Sequence, residues 1–368
     1  MKTDQTVIEI NLNSLKNNLN FIKSILRPKT MIMAVVKAHS YGGDSLIISK
    51  ELEKQKIDYL AVAYTNEGIF LRNSGIKTPI LVLHPQINDF EDLISHELEP
   101  SIYSFRILDA FLSQSNRKKN YPFQLKFNTG LNRLGFSLDE IDTLVSTLGE
   151  NVPNFIFSHL GASEDLKNTD FTKKQLEIFK VISKKIELKI GKKIKKHILN
   201  TSGILNFSNF QYEMVRSGIG LYGFGNDKRF SNNLTPVLSL KTVISQIHNV
   251  KKGDSVGYNL GYIAKKQTRI ATLPIGHADG ISRSCGNGKI HVLINGQKVK
   301  TIGNICMDMM MVDITTTLCE EGDEVIIFDD KNISVEQLSN SVDTISYEIL
   351  ASLSKRISRK IIYSKLNT

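Results

Sequence analysis

The clearest candidate for chemistry is a lysine that follows an apolar run near the N-terminus. The segment AVVKAHSYGG at 34–43 indicates a buried strand over 31–36, then Lys37, then a turn into a helix. A lysine at the end of an apolar strand loses hydration, which lowers its pKa, so that it can be a neutral amine at physiological pH. A neutral amine can form a Schiff base with an aldehyde. The alternative is an ordinary strand-end lysine whose ammonium group stays in water.

Polar side chains close or follow several later apolar runs in the same way. These residues are Lys126 with Arg133 beyond it, His159, Asn200 with Thr201, and Arg216. Taken singly, such a histidine is often a hydrogen-bonded core residue, and such an arginine often pairs with a surface carboxylate. Their shared position after predicted strands favours one common site, because the C-terminal strand ends of a parallel barrel face the active site.

Eight short apolar runs, each followed by a helical pattern, predict the architecture of the first part of the chain. They occupy residues 31–36, 59–64, 79–84, 98–103, 123–127, 155–160, 196–200 and 214–221. Eight strands alternating with helices predict an α/β fold, a (β/α)8 or TIM-like barrel. A further strand is predicted before them, at 7–11, and leads into a helix.

After residue 228 the apolar residues recur with a period of two, which is typical of strands. Such runs include 237–240, 269–273, 291–294 and 324–328, and Asn295 with Gly296 predicts a type I′ hairpin turn. A late helix is predicted at 346–350 and a last strand at 360–363. We therefore expect a barrel domain at 1–230 and a mainly β domain at 231–368, with packing of the strand at 7–11 against the second domain left open.

Composition and charge restrict the class of protein. The 368 residues are 41% hydrophobic and 23% charged, which is typical of a folded globular protein long enough for two domains. The sequence contains neither a signal peptide nor an apolar run of about 18 residues, so we expect a cytoplasmic protein with no membrane partner. The net charge of +10 comes largely from lysines scattered over predicted helices, and no nucleic-acid-binding motif accompanies it. No nucleic-acid partner is expected.

The cysteines give no sign of a metal site. Cys285, Cys306 and Cys319 form no CxxC pair and have no histidine partners at metal-binding spacing. Reduced thiols and the absence of a structural metal are therefore the expectation.

Nine segments, in their order and spacing, resemble one enzyme family. They are AVVKAHSYGG at 34–43, KFNTGLNRLGF at 126–136, SHLGASED at 158–165, NTSG at 200–203, MVRSGIGLYG at 214–223, VGYN at 256–259, IGHADG at 275–280, GNICMDMMMVD at 303–313 and SYEIL at 346–350. Together they resemble the alanine racemases, pyridoxal-phosphate enzymes built from a barrel and a β domain. The resemblance spans both predicted domains, so it is far more specific than a single glycine motif.

The resemblance implies two catalytic residues. Lys37 would hold the cofactor as an internal aldimine and then act as one acid–base group at the substrate α-carbon. Tyr258, reaching in from the β domain of a second subunit, would be the other, which implies a homodimer with shared active sites. Racemisation needs both groups, because a proton leaves one face of the α-carbon and another arrives on the opposite face.

The resemblance also implies how the catalytic groups are tuned. Arg216 would face the pyridine nitrogen, where its permanent charge disfavours protonation of the ring and suppresses side reactions. A free tyrosine has a pKa of about 10, so Tyr258 needs a neighbouring network, for which His159 and Arg216 are the candidates. Arg133 would bridge the cofactor phenolate and the substrate carboxylate, and the backbone N–H of Met307 would also bind that carboxylate.

The remaining contacts implied by the resemblance involve the cofactor phosphate and supporting side chains. The phosphate would be held by Tyr41, Thr201, Tyr347 and the backbone N–H groups of Gly218 and Ile219, with Asn200 also in the cofactor site. The supporting residues would be Lys126, His197, His277 and Asp308. The lysine that matches Lys126 is carbamylated in many relatives.

Four positions depart from the family pattern. His277 stands where the family usually has tyrosine, and Asn304 stands where arginine is frequent; both positions belong to the substrate access corridor. Asn128 and Thr201 replace the commoner aspartate and serine. The first two changes concern substrate size, affinity and pH profile, and leave the two bases in place.

The expected function is therefore an alanine racemase, EC 5.1.1.1, that supplies D-alanine for peptidoglycan. The closest alternative is a serine or broad-specificity amino-acid racemase of the same fold, since His277 and Asn304 could widen the pocket. A related decarboxylase of basic amino acids usually has a glutamate near the pyridine nitrogen, so Arg216 disfavours it. A non-enzymatic pyridoxal-phosphate carrier would end at the barrel, so the domain bearing Tyr258 disfavours that reading.

Overall fold

The computed structural model describes residues 5–115, 121–225, 228–230 and 232–363. Within these ranges the chain divides into two compact units. The barrel unit comprises residues 16–38 and 45–234, and the β unit comprises residues up to 15, residues 39–44 and those from 235 onward. Residues 226, 227 and 231, which flank the predicted domain boundary, lie outside the described part of the chain.

The described chain begins with strand β1 (Val7–Asn11) and helix α1 (Leu12–Ser24). Eight parallel strands follow: β2 (Met31–Val35), β3 (Tyr59–Val62), β4 (Ile80–Val82), β5 (Glu99–Ile102), β6 (Gln124–Lys126), β7 (Phe155–Phe157), β8 (Lys195–His197) and β9 (Met214–Ser217). They lie in the order β8-β7-β6-β5-β4-β3-β2-β9. A 3.0 Å hydrogen bond from Arg216 N–H to Leu199 O joins the two ends of this order. The barrel is nearly closed, and the prediction of a (β/α)8 architecture is confirmed.

Each barrel strand is shorter than the apolar run that predicts it. The run at 214–221, for example, forms only β9, because Leu221 N–H turns back to Gly218 O at 2.9 Å and leaves the sheet. The interior positions of most barrel strands are fully buried, as Ile156 and Leu125 illustrate, although Lys196 in the middle of β8 is only partly buried. Side chains just beyond each strand therefore lie on loops at the C-terminal ends, where barrel enzymes bind their ligands.

Helices alternate with the barrel strands. They are α2 (Lys37–Tyr41), α3 (Ser45–Lys54), α4 (Thr65–Asn73), α5 (Phe90–Ser95), α6 (Phe105–Ser115), α7 (Ile141–Leu148), α8 (Asp170–Ile190) and α9 (Thr201–Asn206). Helix α8 buries Leu176, Phe179, Ile182 and Ile186 at helical spacing, and it ends where Gly191 adopts a left-handed φ of 74°. No helix within the described ranges is long and apolar enough to cross a lipid bilayer.

The β unit is built on one large sheet. Its later strands are β10 (Leu238–Val243), β11 (Gln246–Val250), β12 (Ser255–Val256), β13 (Tyr262–Ile263), β14 (Thr268–Leu273), β15 (His291–Ile294), β16 (Gln297–Ile302), β17 (Met310–Asp313), β18 (Glu324–Phe328) and β19 (Ser358–Ile362). Nine strands form the sheet in the order β11-β14-β17-β16-β15-β18-β10-β1-β19, and β12 pairs with β13. Two helices, α10 (Val335–Ser341) and α11 (Ser346–Ala351), precede β19. The predicted mainly β domain is confirmed.

Two local features of the β unit follow directly from sequence. Asn295 and Gly296 connect β15 to β16 with φ values of 47° and 79°, which fits the predicted type I′ turn. Strand β1 pairs antiparallel to β10 and parallel to β19. The N-terminal strand, whose packing the sequence leaves open, thus lies inside the sheet of the β unit.

Helix α2 is a left-handed turn. Ala38, His39, Ser40 and Tyr41 have φ values of 53° to 55°, although none of them is glycine. Left-handed helical geometry costs an L-residue roughly 1–2 kcal/mol, so four in succession are strained. The segment directly after Lys37 therefore stores conformational energy, which is typical of functional sites.

Candidate active site

Lys37 stands at the C-terminal end of β2 in a partly dehydrated setting. Burial is the main cause that lowers the pKa of Lys37, the Arg133 charge lowers it further, and Glu67 opposes both. The carboxylate of Glu67, in the first turn of α4, accepts hydrogen bonds of 2.7 Å from the N–H groups of Ala38 and Ala63. Helix α4 thus holds the strand end that carries the lysine, and the amine is poised to react.

Arg216, on β9, is 4% exposed and makes several hydrogen bonds inside the barrel. Its Nη2 donates to Ser158 O at 2.7 Å and to Ile198 O at 3.0 Å, and its Nη1 donates to His197 Nδ1. Because a guanidinium has only donors, Nδ1 of His197 must be the acceptor, and its Nε2 must carry the proton. Nε2 lies 2.8 Å from Gln124 Oε1, so Gln124 fixes the tautomer that accepts from Arg216.

Two histidines beside Arg216 are held neutral. Burial and then the Arg216 charge lower the pKa of His197 well below its usual value, and the ring of Phe157 stacks on it at 4.7 Å. The pKa of His159 is likewise lowered well below its usual value, by burial first and then by Arg216, whose Nη2 lies 3.3 Å from His159 Nδ1. Both rings can therefore serve as hydrogen-bonding partners without adding charge.

Lys126 adds to a cluster of positive groups at this end of the barrel. It is 7% exposed, and its Nζ lies 5.9 Å from the centre of the Phe157 ring. Burial, with Arg133 and Arg216 nearby, lowers the pKa of Lys126 to about 8. Of the residues predicted to converge, Lys37, Lys126, Arg133 and Arg216 all act electrostatically on His159, so these five lie close together. The four cationic side chains among them attract an anion.

Thr201 lies at the start of α9, close to the loop that follows β9. Its hydroxyl accepts from Gly218 N–H at 3.2 Å and from Gly220 N–H at 3.3 Å. A Cβ at position 220 would lie 2.7 Å from the Thr201 methyl group, so this close approach requires glycine. Asn200 caps α9 through a 2.9 Å bond from Gly203 N–H to its Oδ1. Ile219 is buried in the same loop.

Tyr41 and Tyr347 lie together in the β unit, with ring centres 6.0 Å apart. Tyr41 is the last residue of the left-handed turn, and Tyr347 is on α11. The next residue, Gly42, is fixed from two sides: its carbonyl accepts from Arg359 at 3.0 Å, and a Cβ there would lie 1.9 Å from Leu350 O. The backbone around Tyr41 is thus closely constrained by the β unit.

Tyr258 is presented at the surface of the β unit. Its side chain is 67% exposed, on a short 3-10 turn that follows Gly257. Gly257 has a φ of 76°, and Asn259 and Leu260 are also left-handed, at 56° and 51°. The phenol therefore projects outward from a strained loop rather than into the interior of its own unit.

The other predicted residues of the β unit form a second group around Gly276. Met307 is 60% exposed, and its carbonyl accepts from Ala278 N–H at 2.9 Å, while His277 is exposed beside it. A Cβ at Gly276 would lie 2.4 Å from Met307 O, so glycine permits the contact. Asp308 bonds to Arg356 at 2.7 Å.

Sequence reasoning misses three side chains that hold these groups in place. Glu67 supports the segment after Lys37, Gln124 orients His197, and Arg356 bridges Asp308 and the buried Asp279. The signal for Gln124 is a polar residue within an apolar run, and that for Glu67 is an acidic residue in the first turn of a helix. Arg356 has no comparable signal, because its partners lie far away in sequence.

Comparison with known proteins places nearly the whole chain in one family. Residues 10–225 match the model "Alanine racemase, N-terminal domain", and residues 237–361 match "Alanine racemase, C-terminal domain". The chain belongs to the alanine racemase family. It is 33% identical to alanine racemase 1 of Caldanaerobacter subterraneus subsp. tengcongensis, covering 97% of this chain and 95% of that protein. It is 34% identical to alanine racemase of Helicobacter pylori strain P12, covering 96% and 98%.

Solved alanine racemases share the fold. The structure from Clostridium difficile 630 has a TM-score of 0.92 at 33% identity, covering 98% of this chain and 96% of that one. The structure from Bartonella henselae, described with covalently bound pyridoxal phosphate, has a TM-score of 0.88 at 27% identity, covering 98% and 100%. The resemblance inferred from motifs is confirmed over both units.

Alanine racemases depend on pyridoxal phosphate, and the barrel unit has groups that suit it. The cofactor offers an aldehyde for an amine and an anionic phosphate for donors. Lys37 supplies an amine with a lowered pKa, and the surrounding cationic side chains favour an anion. The two glycines at 218 and 220 bring the backbone of this loop close to the Thr201 hydroxyl, and backbone N–H groups beside a hydroxyl are the type of donor set that phosphate prefers.

Proposed function

We propose that this enzyme interconverts L-alanine and D-alanine with Lys37 and Tyr258 as its two bases. The observation that carries the proposal is the state of Lys37: burial and Arg133 lower the pKa of its amine, and Glu67 fixes the backbone beside it. An amine of this kind can bind an aldehyde and can accept a proton. The assay is incubation of the cofactor-loaded enzyme with L-alanine and separation of the enantiomers, which should approach equal amounts.

Two bases allow each face of the α-carbon to exchange its own proton. In this proposal Lys37 accepts or returns the proton on one face, and the Tyr258 phenol does so on the other. A single base would tend to return the proton to the face it left. Bound pyridoxal phosphate withdraws electrons from the α-carbon and so makes the α-proton acidic.

The proposed cofactor contacts divide by chemistry. Arg216, supported by His197, would face the pyridine nitrogen and disfavour its protonation, with His159 in the same network. Thr201, Asn200 and the N–H groups of Gly218 and Ile219 would hold the phosphate, together with Tyr41 and Tyr347. Neutral His197 and His159 support this assignment, because a charged imidazolium beside Arg216 would repel it.

The proposed substrate contacts centre on the carboxylate. Arg133 and the N–H of Met307 bind it, and His277 and Asp308 support the corridor around Met307. Lys126 braces Arg133 as a carbamate. Its pKa of about 8 supports carbamylation, because only the neutral amine reacts with carbon dioxide. A mass increase of one carbon dioxide on the peptide containing Lys126 would test it.

We further propose a homodimer, with barrel domain 1–230 of one subunit served by Tyr258 in domain 231–368 of the other. The exposed phenol of Tyr258 supports this assignment, since the side chain projects from its own unit. Lys37→Ala and Tyr258→Phe subunits, each inactive alone, should regain activity when mixed, because one intact site forms per heterodimer. Verified subunit exchange with no recovered activity would contradict a shared site.

The cellular role follows from the product. D-alanine is a building block of peptidoglycan, and we propose that the enzyme supplies it in the cytoplasm. The three cysteines, all free thiols, support a reducing compartment. Loss of the gene product should make growth depend on added D-alanine, and cell fractionation should recover the protein with cytoplasmic markers.

A second candidate is racemisation of serine or of several amino acids. It is favoured by the exposed His277 and by Asn304, which differ from the usual corridor residues. Parallel assays with L-alanine and L-serine separate the two candidates. Comparable kcat/KM for both substrates would favour the broader specificity, whereas a large preference for alanine would exclude it.

A further inference from the structure

The loop that carries Tyr258 is held by a neighbouring asparagine side chain. Nδ2 of Asn304 donates to the backbone carbonyl of Tyr258 at 3.0 Å. Asn304 follows β16, and Gly303 before it passes so close to Val256 that a Cβ would lie 2.8 Å from Val256 O. The strand connection containing Asn304 therefore packs directly against the chain leading into the Tyr258 turn.

A second asparagine fixes the orientation of the first. Nδ2 of Asn287 donates to Oδ1 of Asn304 at 3.1 Å, and the backbone N–H of Asn287 donates to Gly303 O at 2.9 Å. The carbonyl of Tyr258 can only accept, so Asn304 must present Nδ2 to it and Oδ1 to Asn287. A flipped Asn304 amide would lose both bonds. The two hydrogen bonds therefore run in one order, from Asn287 to Asn304 and from Asn304 to the Tyr258 carbonyl.

The C-terminal end of the Tyr258 turn, at Gly261, also packs against the Asn304 side chain. A Cβ at Gly261 would lie 2.7 Å from Nδ2 of Asn304 and 3.2 Å from its backbone N, so a larger residue there would displace the amide. The intervening residues Asn259 and Leu260 are left-handed and strained. A strained turn relaxes unless neighbours hold it, and Asn304 contacts it at both ends.

We propose that Asn304, braced by Asn287, is a positioning residue that sets the place of the Tyr258 phenol through its backbone carbonyl. This inference rests on the proposed role of Tyr258 as a base. Asn304 occupies a corridor position where relatives frequently carry arginine, so a role in substrate passage is the competing account. The two roles differ in kinetics: positioning acts on kcat, whereas passage acts on KM.

Asn304→Asp is the informative change, because it keeps the shape and replaces the donor with a carboxylate oxygen facing the Tyr258 carbonyl. We expect kcat to fall roughly tenfold with KM within about twofold, since small misplacement of a catalytic group is costly. Asn287→Asp, which replaces the donor to Asn304 Oδ1 with a second acceptor while leaving Asn304 itself in place, should lower kcat by roughly threefold. Asn340→Asp, at an exposed position on α10, adds the same charge in the same unit and is the matched control.

An isotope effect separates positioning from general damage. If Asn304 acts through Tyr258, proton removal by the phenol becomes more rate-limiting, so the α-deuterium effect on kcat/KM should rise for one enantiomer only. A general loss of structure would change both directions alike. The absorbance of the Lys37–cofactor imine should stay unchanged in all three variants.

The outcomes also separate this inference from the proposed function. Full activity in Tyr258→Phe would overturn the role of Tyr258 itself. A slow Tyr258→Phe enzyme together with an unchanged Asn304→Asp enzyme would overturn only the positioning role. An Asn304→Asp enzyme with raised KM, unchanged kcat and unaltered isotope effects would assign Asn304 to substrate passage instead.

Discussion

The candidate residues of the two units differ in how they are prepared for chemistry. In the barrel unit, Arg216 and His197 are 4% and 0% exposed, and each is held by defined hydrogen bonds. In the β unit, Tyr258 and Met307 are 67% and 60% exposed. Buried groups carry their tuning with them, because desolvation and fixed partners set their protonation. The protonation of exposed groups is set in this way only when a ligand or another protein chain covers them.

This contrast predicts which substitutions disturb the protein itself and which disturb only the reaction. Changes at buried barrel positions should affect stability, cofactor state and rate together. Changes at exposed positions of the β unit should affect rate while leaving the free energy of unfolding within about 0.5 kcal/mol of wild type. The following substitutions test that division.

The largest effect is expected at Lys37. Lys37→Ala removes both the amine that binds the cofactor and one base, so racemisation should fall by about four orders of magnitude or more. The absorbance band of the imine should disappear as well. Racemase activity above about one per cent of wild type would contradict the assignment.

Tyr258→Phe should change the reaction rate without changing the stability of the fold. Removal of one acid–base group should lower kcat by roughly 10²–10⁴-fold. Because the side chain is largely exposed, thermal unfolding and the imine absorbance should match wild type. A large fall in melting temperature would show that Tyr258 stabilises the fold, which would contradict the contrast between buried barrel residues and exposed residues of the β unit.

Substitutions of Gln124 test the buried residues of the barrel unit through their effect on stability. Gln124→Leu leaves the Nε2 proton of His197 without an acceptor inside the barrel, which should lower the free energy of unfolding by about 1–3 kcal/mol. Gln124→Glu keeps an acceptor but adds a buried charge that favours imidazolium, so His197 would no longer accept from Arg216. Denaturant titration should rank wild type above both variants, and the imine spectrum should shift because Arg216 is disturbed.

At neutral pH the smallest expected effect on stability is that of the lowered His197 pKa, which acts only as the pH falls. The pKa of His197 is lowered in the folded state, so below a pH of about 6.5 the unfolded chain binds a proton that the folded chain does not. Stability should therefore fall as the pH drops, by up to about 1.4 kcal/mol per pH unit for this residue. His197→Gln should flatten the slope of unfolding free energy against pH between about pH 4 and pH 6. An unchanged slope would mean that His197 is charged in the fold.

Much of the architecture is predictable from local patterns. Alternating apolar runs and helical patterns are sufficient to predict the barrel. The Asn295–Gly296 pair is sufficient to predict the hairpin turn between β15 and β16. The apolar runs predict strands that are too long, as at 214–221, because apolar character continues past the last hydrogen-bonded residue. No local pattern predicts the left-handed turn after Lys37, since none of its four residues favours that conformation.

The sequence alone determined which residues could do the chemistry, because residue type and position after an apolar strand are local properties. Lys37, His159 and Arg216 are identifiable in this way. Only the tertiary structure decided their protonation and orientation. His197 accepts from Arg216 because Gln124, 73 residues away in sequence, holds its other nitrogen. Tautomers and lowered pKa values depend on neighbours brought together by folding, and no local pattern contains them.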